Sequence, residues 1–112
     1  MANILIVDDE ESIRDVFATF LNIYQHKVTI AKSGEEAINL IEKNIFDIVI
    51  TDLKMGKVDG MTVLNSIKEI SPDTEVIMVT AFATIPIAVQ AMGLGAYDFV
   101  SKPVNLDELK LT

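Results

Sequence analysis

The sequence predicts a three-layer α/β sandwich, with a parallel sheet between two layers of helices. Short runs of β-branched apolar residues alternate with longer segments whose apolar residues recur at helical spacing, and this alternation is typical of β-α-β units. Right-handed crossovers between parallel strands place helices on both faces of the sheet. The chain has 112 residues, 50% of them hydrophobic, which suits one domain with its own core.

Five apolar runs are the predicted strands, and four of them end in a polar residue. The remaining run is the second strand, Lys27–Ala31. The four runs are 4–7, 48–51, 76–79 and 99–101, and the residues that follow them are Asp8 with Asp9, Asp52, Thr80 and Lys102. The carboxyl ends of parallel strands meet at one edge of the sheet, where open α/β folds bind their ligands. We therefore expect these polar side chains to converge.

The segments between the strands carry helical signals. On the first helix the apolar residues share one face; they are Ile13, Phe17, Phe20, Leu21 and Tyr24. Ser33 is expected to cap the second helix, because Glu36 stands three residues later as in a capping box. Apolar spacing continues from Met61 in a third helix, which is expected to stop near Ser71.

The fourth helix is expected to begin after Thr84, a capping residue. Pro86 is tolerated there because the first turn of a helix has free N–H groups in any case. Its end is expected near Gly93 or Gly95. Three side chains are predicted to face inward: Ala88, Val89 and Met92.

A fifth helix is predicted to begin at Asn105 or Leu106. It has barely two turns before Thr112, and so short a helix is marginal. We therefore expect residues 1–112 to be one domain cut from a longer protein, with its last helix truncated.

Composition excludes several classes of function. A formal net charge of −8 argues against direct binding to nucleic acid or to an anionic membrane, because phosphate groups require a basic stripe. The sequence has no cysteine, which excludes disulfides and cysteine-ligated metals and fits a reducing compartment. It has neither a secretory leader nor an apolar stretch of membrane-spanning length. A cytoplasmic location is expected.

The carboxylates at the strand ends would repel one another, and a bound cation would offset this repulsion. Acidic residues at a strand end are often helix caps, and Asp8 and Asp9 could cap a helix that starts near Glu10. Carboxylates about 4 Å apart, however, repel by a few kcal/mol at an intermediate dielectric. Asp8, Asp9, Asp52 and Lys102 carry formal charges that sum to −2, which one divalent cation neutralises. Oxygen ligands favour Mg²⁺, or alternatively Mn²⁺, over zinc.

Asp52 is the expected nucleophile toward phosphorus, because a carboxylate beside such a cation can form an aspartyl phosphate. It ends the central strand and begins a glycine-containing loop, so backbone groups can approach the transferred group closely. Thr80 would donate a hydrogen bond to one phosphoryl oxygen, and Lys102 would neutralise another. Each of these two residues alone is common at a protein surface, but their joint placement favours the phosphoryl site.

These residues, in this order, resemble the receiver domain of bacterial two-component response regulators over nearly the whole chain. The matching motifs are Asp8-Asp9, Asp52 with Met55 and Asp59-Gly60, Thr80-Ala81, Gly95-Ala96 and Lys102-Pro103. The resemblance implies a flavodoxin-like sheet of five strands in the order 2-1-3-4-5. The stretch 80–92 is similar to receivers of enhancer-binding transcriptional activators, which carry an ATPase module and a DNA-binding helix-turn-helix.

The resemblance also implies how the metal is held. Asp9 and Asp52 would bind Mg²⁺ directly, and Asp8 would assist through water. The backbone carbonyl of Lys54 would supply another oxygen. Relatives commonly have proline where Gly56 stands, so this loop departs from the family pattern.

A conformational switch is the other implied property. Thr80 would move toward the phosphoryl group, and Phe99 would turn inward as it does. The surface formed by the fourth helix, the fifth strand and the fifth helix would then change. The resemblance further implies a cis peptide bond between Lys102 and Pro103.

The implied partners are a sensor histidine kinase that donates the phosphoryl group, an output domain outside this chain with ATPase and DNA-binding modules, and a second copy of the chain. The domain would not be a turnover enzyme; it would assist its own phosphorylation and dephosphorylation. A haloacid-dehalogenase-like phosphatase needs a second acid two residues beyond its nucleophile, where Lys54 stands here. The other alternative is a receiver-like interaction module that is never phosphorylated.

Overall fold

The computed structural model describes residues 2–53, 58–81 and 84–101. In chain order they form β1 (Asn3–Val7), α1 (Glu11–Ile23), β2 (Lys27–Ala31), α2 (Gly34–Lys43), β3 (Ile48–Thr51), α3 (Gly60–Ile70), β4 (Glu75–Thr80), α4 (Ile85–Gly93) and β5 (Asp98–Ser101). The predicted alternation of strands and helices is confirmed. The fifth helix, predicted to begin at Asn105 or Leu106, lies outside the described residues. None of the four described helices has the length and apolar character needed to span a bilayer.

The five strands form one parallel sheet in the order β2-β1-β3-β4-β5, which confirms the predicted order. The strands β1 and β3 lie side by side, with Val7 opposite Thr51, and Thr51 in turn lies opposite Met78 of β4. The ends of β1 and β3 are therefore level, and β4 continues two residues further to Thr80.

The sheet separates two hydrophobic cores, because successive strand residues point to opposite faces. On one face, Leu5 and Val7 pack with α2 and α3. On the other, Ile4 and Ile6 pack with α1. The last four residues of β1 are all buried, which explains why a parallel strand covered on both faces appears in the sequence as a continuous apolar run.

Short polar side chains begin three of the helices. The Ser33 hydroxyl accepts a hydrogen bond from the N–H of Glu36 (3.1 Å) at the start of α2, as predicted. The carboxylate of Glu36 accepts from the N–H of Lys32 (3.3 Å), one residue earlier than in a standard capping box. The side chains of Asp59 and Thr84 cap α3 and α4 in the same way.

The prediction for the inward face of α4 was wrong in part. Val89 is 66% exposed and Met92 is 48% exposed, whereas Ala91 is fully buried and Ile87 packs against the core beside α2 and α3. Ala88 is half-buried. Nearly every residue of α4 is apolar, so hydrophobic spacing could not distinguish its buried face from its exposed one.

Two helices end in the same hydrogen-bonded turn. After α1 the N–H of His26 donates to the carbonyl of Leu21 and the N–H of Gln25 to that of Asn22. After α4 the N–H groups of Ala96 and Gly95 bond to the corresponding carbonyls. This is the Schellman arrangement, which needs one residue with a positive φ. Gln25 (φ 65°) and Gly95 (φ 103°) supply it, so Gly95 rather than Gly93 is the glycine that the helix end requires.

Candidate functional site

The two acidic strand ends lie side by side at the carboxyl edge of the sheet. The N–H of Asp8 donates to the carbonyl of Ala31 (3.2 Å), and the N–H of Asp52 donates to the carbonyl of Val7 (3.0 Å). Both residues thus extend the hydrogen-bonding of the sheet one step beyond the strands. The register of β1 and β3 therefore places the main chains of Asp8 and Asp52 side by side at the predicted edge of the sheet.

An acidic cluster stands at the end of β1. Carboxylate oxygens of Asp8, Asp9 and Glu10 lie within 4.8 Å of one another. Asp8 is 3% exposed, whereas Asp9 and Glu10 are exposed. Glu10 was not among the predicted ligands. The donor set fits a hard divalent cation, because it consists of carboxylate oxygens and the protein has no cysteine to favour a softer metal.

Neither residue of the acidic pair stands at the N-cap position of the first helix. Glu10 occupies the N-cap position of α1 and makes no side-chain cap bond. The Oδ1 atom of Asp8 accepts instead from the N–H of Glu10 (3.0 Å), before the helix begins. This bond orients the Asp8 carboxylate within the turn.

Main-chain contacts fix the position of Asp52. It is 7% exposed, and its Oδ1 accepts from the N–H of Leu53 (2.7 Å). Its carbonyl accepts from the hydroxyl of Thr51 (3.0 Å). Gly60 lies so close that a Cβ there would overlap the carbonyl oxygen of Asp52. Glycine is therefore required at the start of α3, because the chain returns against the end of β3.

Thr80 and Phe99 belong to the neighbouring strands. Thr80 is the fully buried last residue of β4, opposite Ser101 of β5. It therefore ends on the same edge of the sheet as Asp52, as predicted. Phe99 is half-buried and packs against the core beside α2 and α3.

Three predicted features lie outside the described residues. They are the carbonyl ligand of Lys54, the ammonium group of Lys102 and the peptide bond between Lys102 and Pro103. Gly56, where relatives commonly have proline, is outside as well. The roles assigned to these residues remain predictions.

Arg14 of α1 was missed by the sequence analysis. It is 6% exposed, and its Nη1 donates to the carbonyl oxygen of Asp8 (2.9 Å). A signal was available, since Arg14 lies three residues before Phe17 and seven before Leu21, on the inward face of the helix. A charged residue at such a position is a reason to look for a buried partner.

Known proteins share the sequence pattern of this chain. The sequence pattern of the response regulator receiver domain matches residues 4–112. The transcriptional regulatory protein ZraR of Klebsiella oxytoca is 34% identical over 110 residues, which are 98% of this chain and 25% of that protein. The chain thus spans about a quarter of the length of this relative.

Solved structures show the same fold. A response regulator receiver domain protein from Clostridium thermocellum has a TM-score of 0.93 and 36% identity, over 99% of this chain and 90% of its own. A response regulator from Burkholderia pseudomallei has a TM-score of 0.92 and 28% identity, over 98% of this chain and 65% of its own. Its structure contains a phosphorylated aspartic acid and a calcium ion.

Proposed function

The chain belongs to the response regulator receiver family, and we propose that Asp52 is its phosphoacceptor. The observation that carries this proposal is the placement of Asp52 beside Asp8, through the hydrogen bond from its N–H to Val7. The phosphorylated aspartic acid in the Burkholderia pseudomallei relative supports it. In the transfer, a carboxylate oxygen of Asp52 forms a bond to phosphorus while the bond from phosphorus to a histidine nitrogen breaks, and the electron pair leaves with the imidazole.

The second part of the proposal is a Mg²⁺ site at this edge, with Mn²⁺ as the alternative ion. Asp9 and Asp52 would hold the cation directly, Asp8 would act through water, and the Lys54 carbonyl would add an oxygen. The cation would supply the positive charge that lets a carboxylate and an anionic phosphoryl group approach each other. The carboxylate cluster of Asp8, Asp9 and Glu10 and the calcium ion of the Burkholderia relative support this part.

Thr80 and Lys102 would bind the phosphoryl oxygens. Thr80 would donate from its hydroxyl and Lys102 from its ammonium group, so that charge is stabilised where it develops during transfer. Thr80 ends β4 on the same edge as Asp52, which supports its assignment. The cis peptide bond between Lys102 and Pro103 is proposed from the family resemblance.

Phosphorylation would change the surface of α4, β5 and the following fifth helix. A phosphoryl group adds roughly −1.5 to −2 of charge and three acceptor oxygens. These would draw Thr80 inward and allow Phe99 to turn toward the core. The change would shift the population of two conformations of one fold. Exposed apolar side chains on α4, among them Ile85 and Val89, support a role for this surface in contacts.

The proposed partners follow from the same family. A sensor histidine kinase would donate the phosphoryl group in the cytoplasm. An output domain outside residues 1–112 would receive the signal, and ATPase and DNA-binding modules are proposed for it because ZraR is a transcriptional regulator four times as long as the region matched here. A homodimer is proposed as well. The domain would act on itself rather than turn over a substrate.

Intact-mass measurement after incubation with acetyl phosphate and Mg²⁺ tests the phosphoacceptor. Wild type should gain a single phosphoryl adduct, and Asp52→Asn should gain none, because the amide is not a nucleophile toward phosphorus. Thr80→Ala should be labelled more slowly. As a matched control, Thr62→Ala removes an exposed hydroxyl from α3 and should be labelled like wild type.

The same experiment separates the proposal from its alternative. A receiver-like module that is never phosphorylated would show no adduct in wild type under any Mg²⁺ concentration. Equal labelling of wild type and Asp52→Asn would remove Asp52 from its role. An adduct that forms equally well after chelation of divalent ions would exclude the proposed cation site.

A further inference from the structure

Arg14 is a buried cation that the phosphoryl chemistry does not use. Arg14 lies on α1 and is 6% exposed. Its Nη1 donates to the main-chain carbonyl of Asp8 at 2.9 Å. Among the described residues its Nε has no hydrogen-bond partner. Arg14 is therefore largely removed from water, and the hydrogen bond from its Nη1 ties it to the main chain of Asp8.

Burying an arginine side chain is energetically unfavourable, because a charged group that leaves water needs compensating partners. Neighbouring residues on the same face of α1, Phe17 and Leu21, are apolar, and an apolar side chain would satisfy that core at lower cost. The carbonyl that Arg14 binds belongs to the peptide between Asp8 and Asp9. The hydrogen bond from Arg14 therefore acts on the turn that carries the proposed cation ligands.

That peptide determines where the Asp9 side chain projects. Asp9 is exposed, so the packing around it does little to orient its side chain. The residue before it is held at two atoms: the Oδ1 of Asp8 accepts from the N–H of Glu10, and the carbonyl of Asp8 accepts from Arg14. With both bonds in place, the path of the chain through the turn is fixed before a cation arrives.

We propose that Arg14 is a positioning residue for the cation site, which acts by fixing the peptide between Asp8 and Asp9. This inference rests on the proposed function in one respect, that Asp9 binds a divalent cation. Groups that hold metal ligands in place by hydrogen bonds commonly contribute about 10–100-fold to metal affinity. The contribution is made without contact between Arg14 and the metal.

The charge of Arg14 has the opposite effect on affinity. A guanidinium near the site repels a divalent cation, so its removal alone would tighten binding. Positioning and repulsion therefore predict opposite signs for Arg14→Met. Arg14→Lys keeps the charge and one hydrogen-bond donor but lacks the planar fork of donors, so it keeps the repulsion and only part of the positioning.

Isothermal titration of the unphosphorylated chain with MgCl₂ is the test. Arg14→Met should bind Mg²⁺ about 10-fold more weakly than wild type, and Arg14→Lys should lie between them. Leu21→Val is the matched control, because Leu21 shares the buried face of α1; its affinity should stay within about twofold of wild type, as expected for a site without shared partners. Amide NMR shifts of Asp9 and Glu10 without metal should change in both Arg14 variants but not in Leu21→Val.

Denaturant unfolding of each variant establishes that the titrated protein is folded, and Arg14→Lys provides the test if Arg14→Met does not fold. Wild-type or tighter Mg²⁺ affinity in a folded Arg14 variant would overturn the positioning role. Asp9→Asn distinguishes this from failure of the proposed function. If wild type and Asp9→Asn bind Mg²⁺ equally, the proposed cation site and the inference fall together; if only Asp9→Asn loses binding, the role of Arg14 alone falls.

Discussion

The acidic edge and the α4 side of this domain are packed in different ways. The acidic edge comprises the ends of β1 and β3 with α1, and the α4 side comprises α4 and β5. The last four residues of β1 and the last three of β3 are buried, whereas none of the four residues of β5 is fully buried. Helix α1 buries three side chains, and α4 buries only that of Ala91.

This difference suits the two tasks that we propose for these regions, phosphoryl transfer at the acidic edge and a conformational change on the α4 side. A nucleophile and cation ligands must be held in a fixed geometry, because small displacements are costly for catalysis. An element that changes conformation is drawn from the less stable part of a fold, where few buried apolar contacts must be broken. Ile85 is 81% exposed and Val89 is 66% exposed, so these two side chains would lose little buried area if α4 moved.

The largest expected effect contrasts one apolar side chain from each region. Leu5 of β1 is fully buried, and Leu5→Ala should lower the free energy of unfolding by about 2–5 kcal/mol, because it leaves a cavity in the core. Val89→Ala on α4 should change it by less than about 0.5 kcal/mol. Urea unfolding monitored by circular dichroism measures both. Similar losses in the two variants would mean that the α4 side is packed as tightly as β1.

A second contrast uses two glycines. A Cβ at Gly60 would overlap the carbonyl oxygen of Asp52 and crowd the sulfur of Met78, so Gly60→Ala should cost about 1–3 kcal/mol. A Cβ at Gly93 has no heavy atom within 4 Å, so Gly93→Ala in α4 should stabilise the protein by about 0.5–1 kcal/mol. Thermal unfolding of both variants shows directly whether each substitution raises or lowers stability. A stabilised Gly60→Ala would show that the loop after Asp52 is free to shift.

A third contrast, with a smaller leading effect than the first two, concerns the two helix ends. Gly95→Ala places a side chain at a positive φ, which costs about 1–2 kcal/mol. Gln25 already bears that cost at the end of α1, so Gln25→Gly should stabilise the protein by up to about 1 kcal/mol. Chemical unfolding of both variants in one buffer tests the pair. A loss of stability in Gln25→Gly would indicate that the Gln25 side chain makes a contact worth more than the backbone strain.

Much of the fold and of the site could be predicted from the sequence, because local signals and topology agreed. The buried parallel strands appear as continuous apolar runs, and Asp8, Asp52 and Thr80 directly follow or end such runs. Once the strands are parallel, their carboxyl ends must share an edge. The prediction that these three residues share one edge of the sheet therefore required no knowledge of side-chain packing.

The exposed face of α4 and the partner of Arg14 depend on tertiary contacts, which the sequence pattern indicates only weakly. The exposed face of α4 was mispredicted at Val89 and Met92 because an almost wholly apolar helix has no polar stripe to mark the solvent side. The partner of Arg14 could not be identified either. Its position on the inward face of α1 is visible in the sequence, but its bond to the Asp8 carbonyl depends on the path of the turn.

The most direct test of the central claim is to locate the phosphoryl group. Borohydride reduces an aspartyl phosphate to homoserine, so reduction after incubation with acetyl phosphate and Mg²⁺, followed by peptide mass spectrometry, marks the modified residue. We predict homoserine at position 52 in wild type and its loss when Mg²⁺ is chelated. Homoserine at position 8 or 9 with none at position 52 would contradict the assignment of Asp52 as the nucleophile and of the acidic pair as its cation ligands.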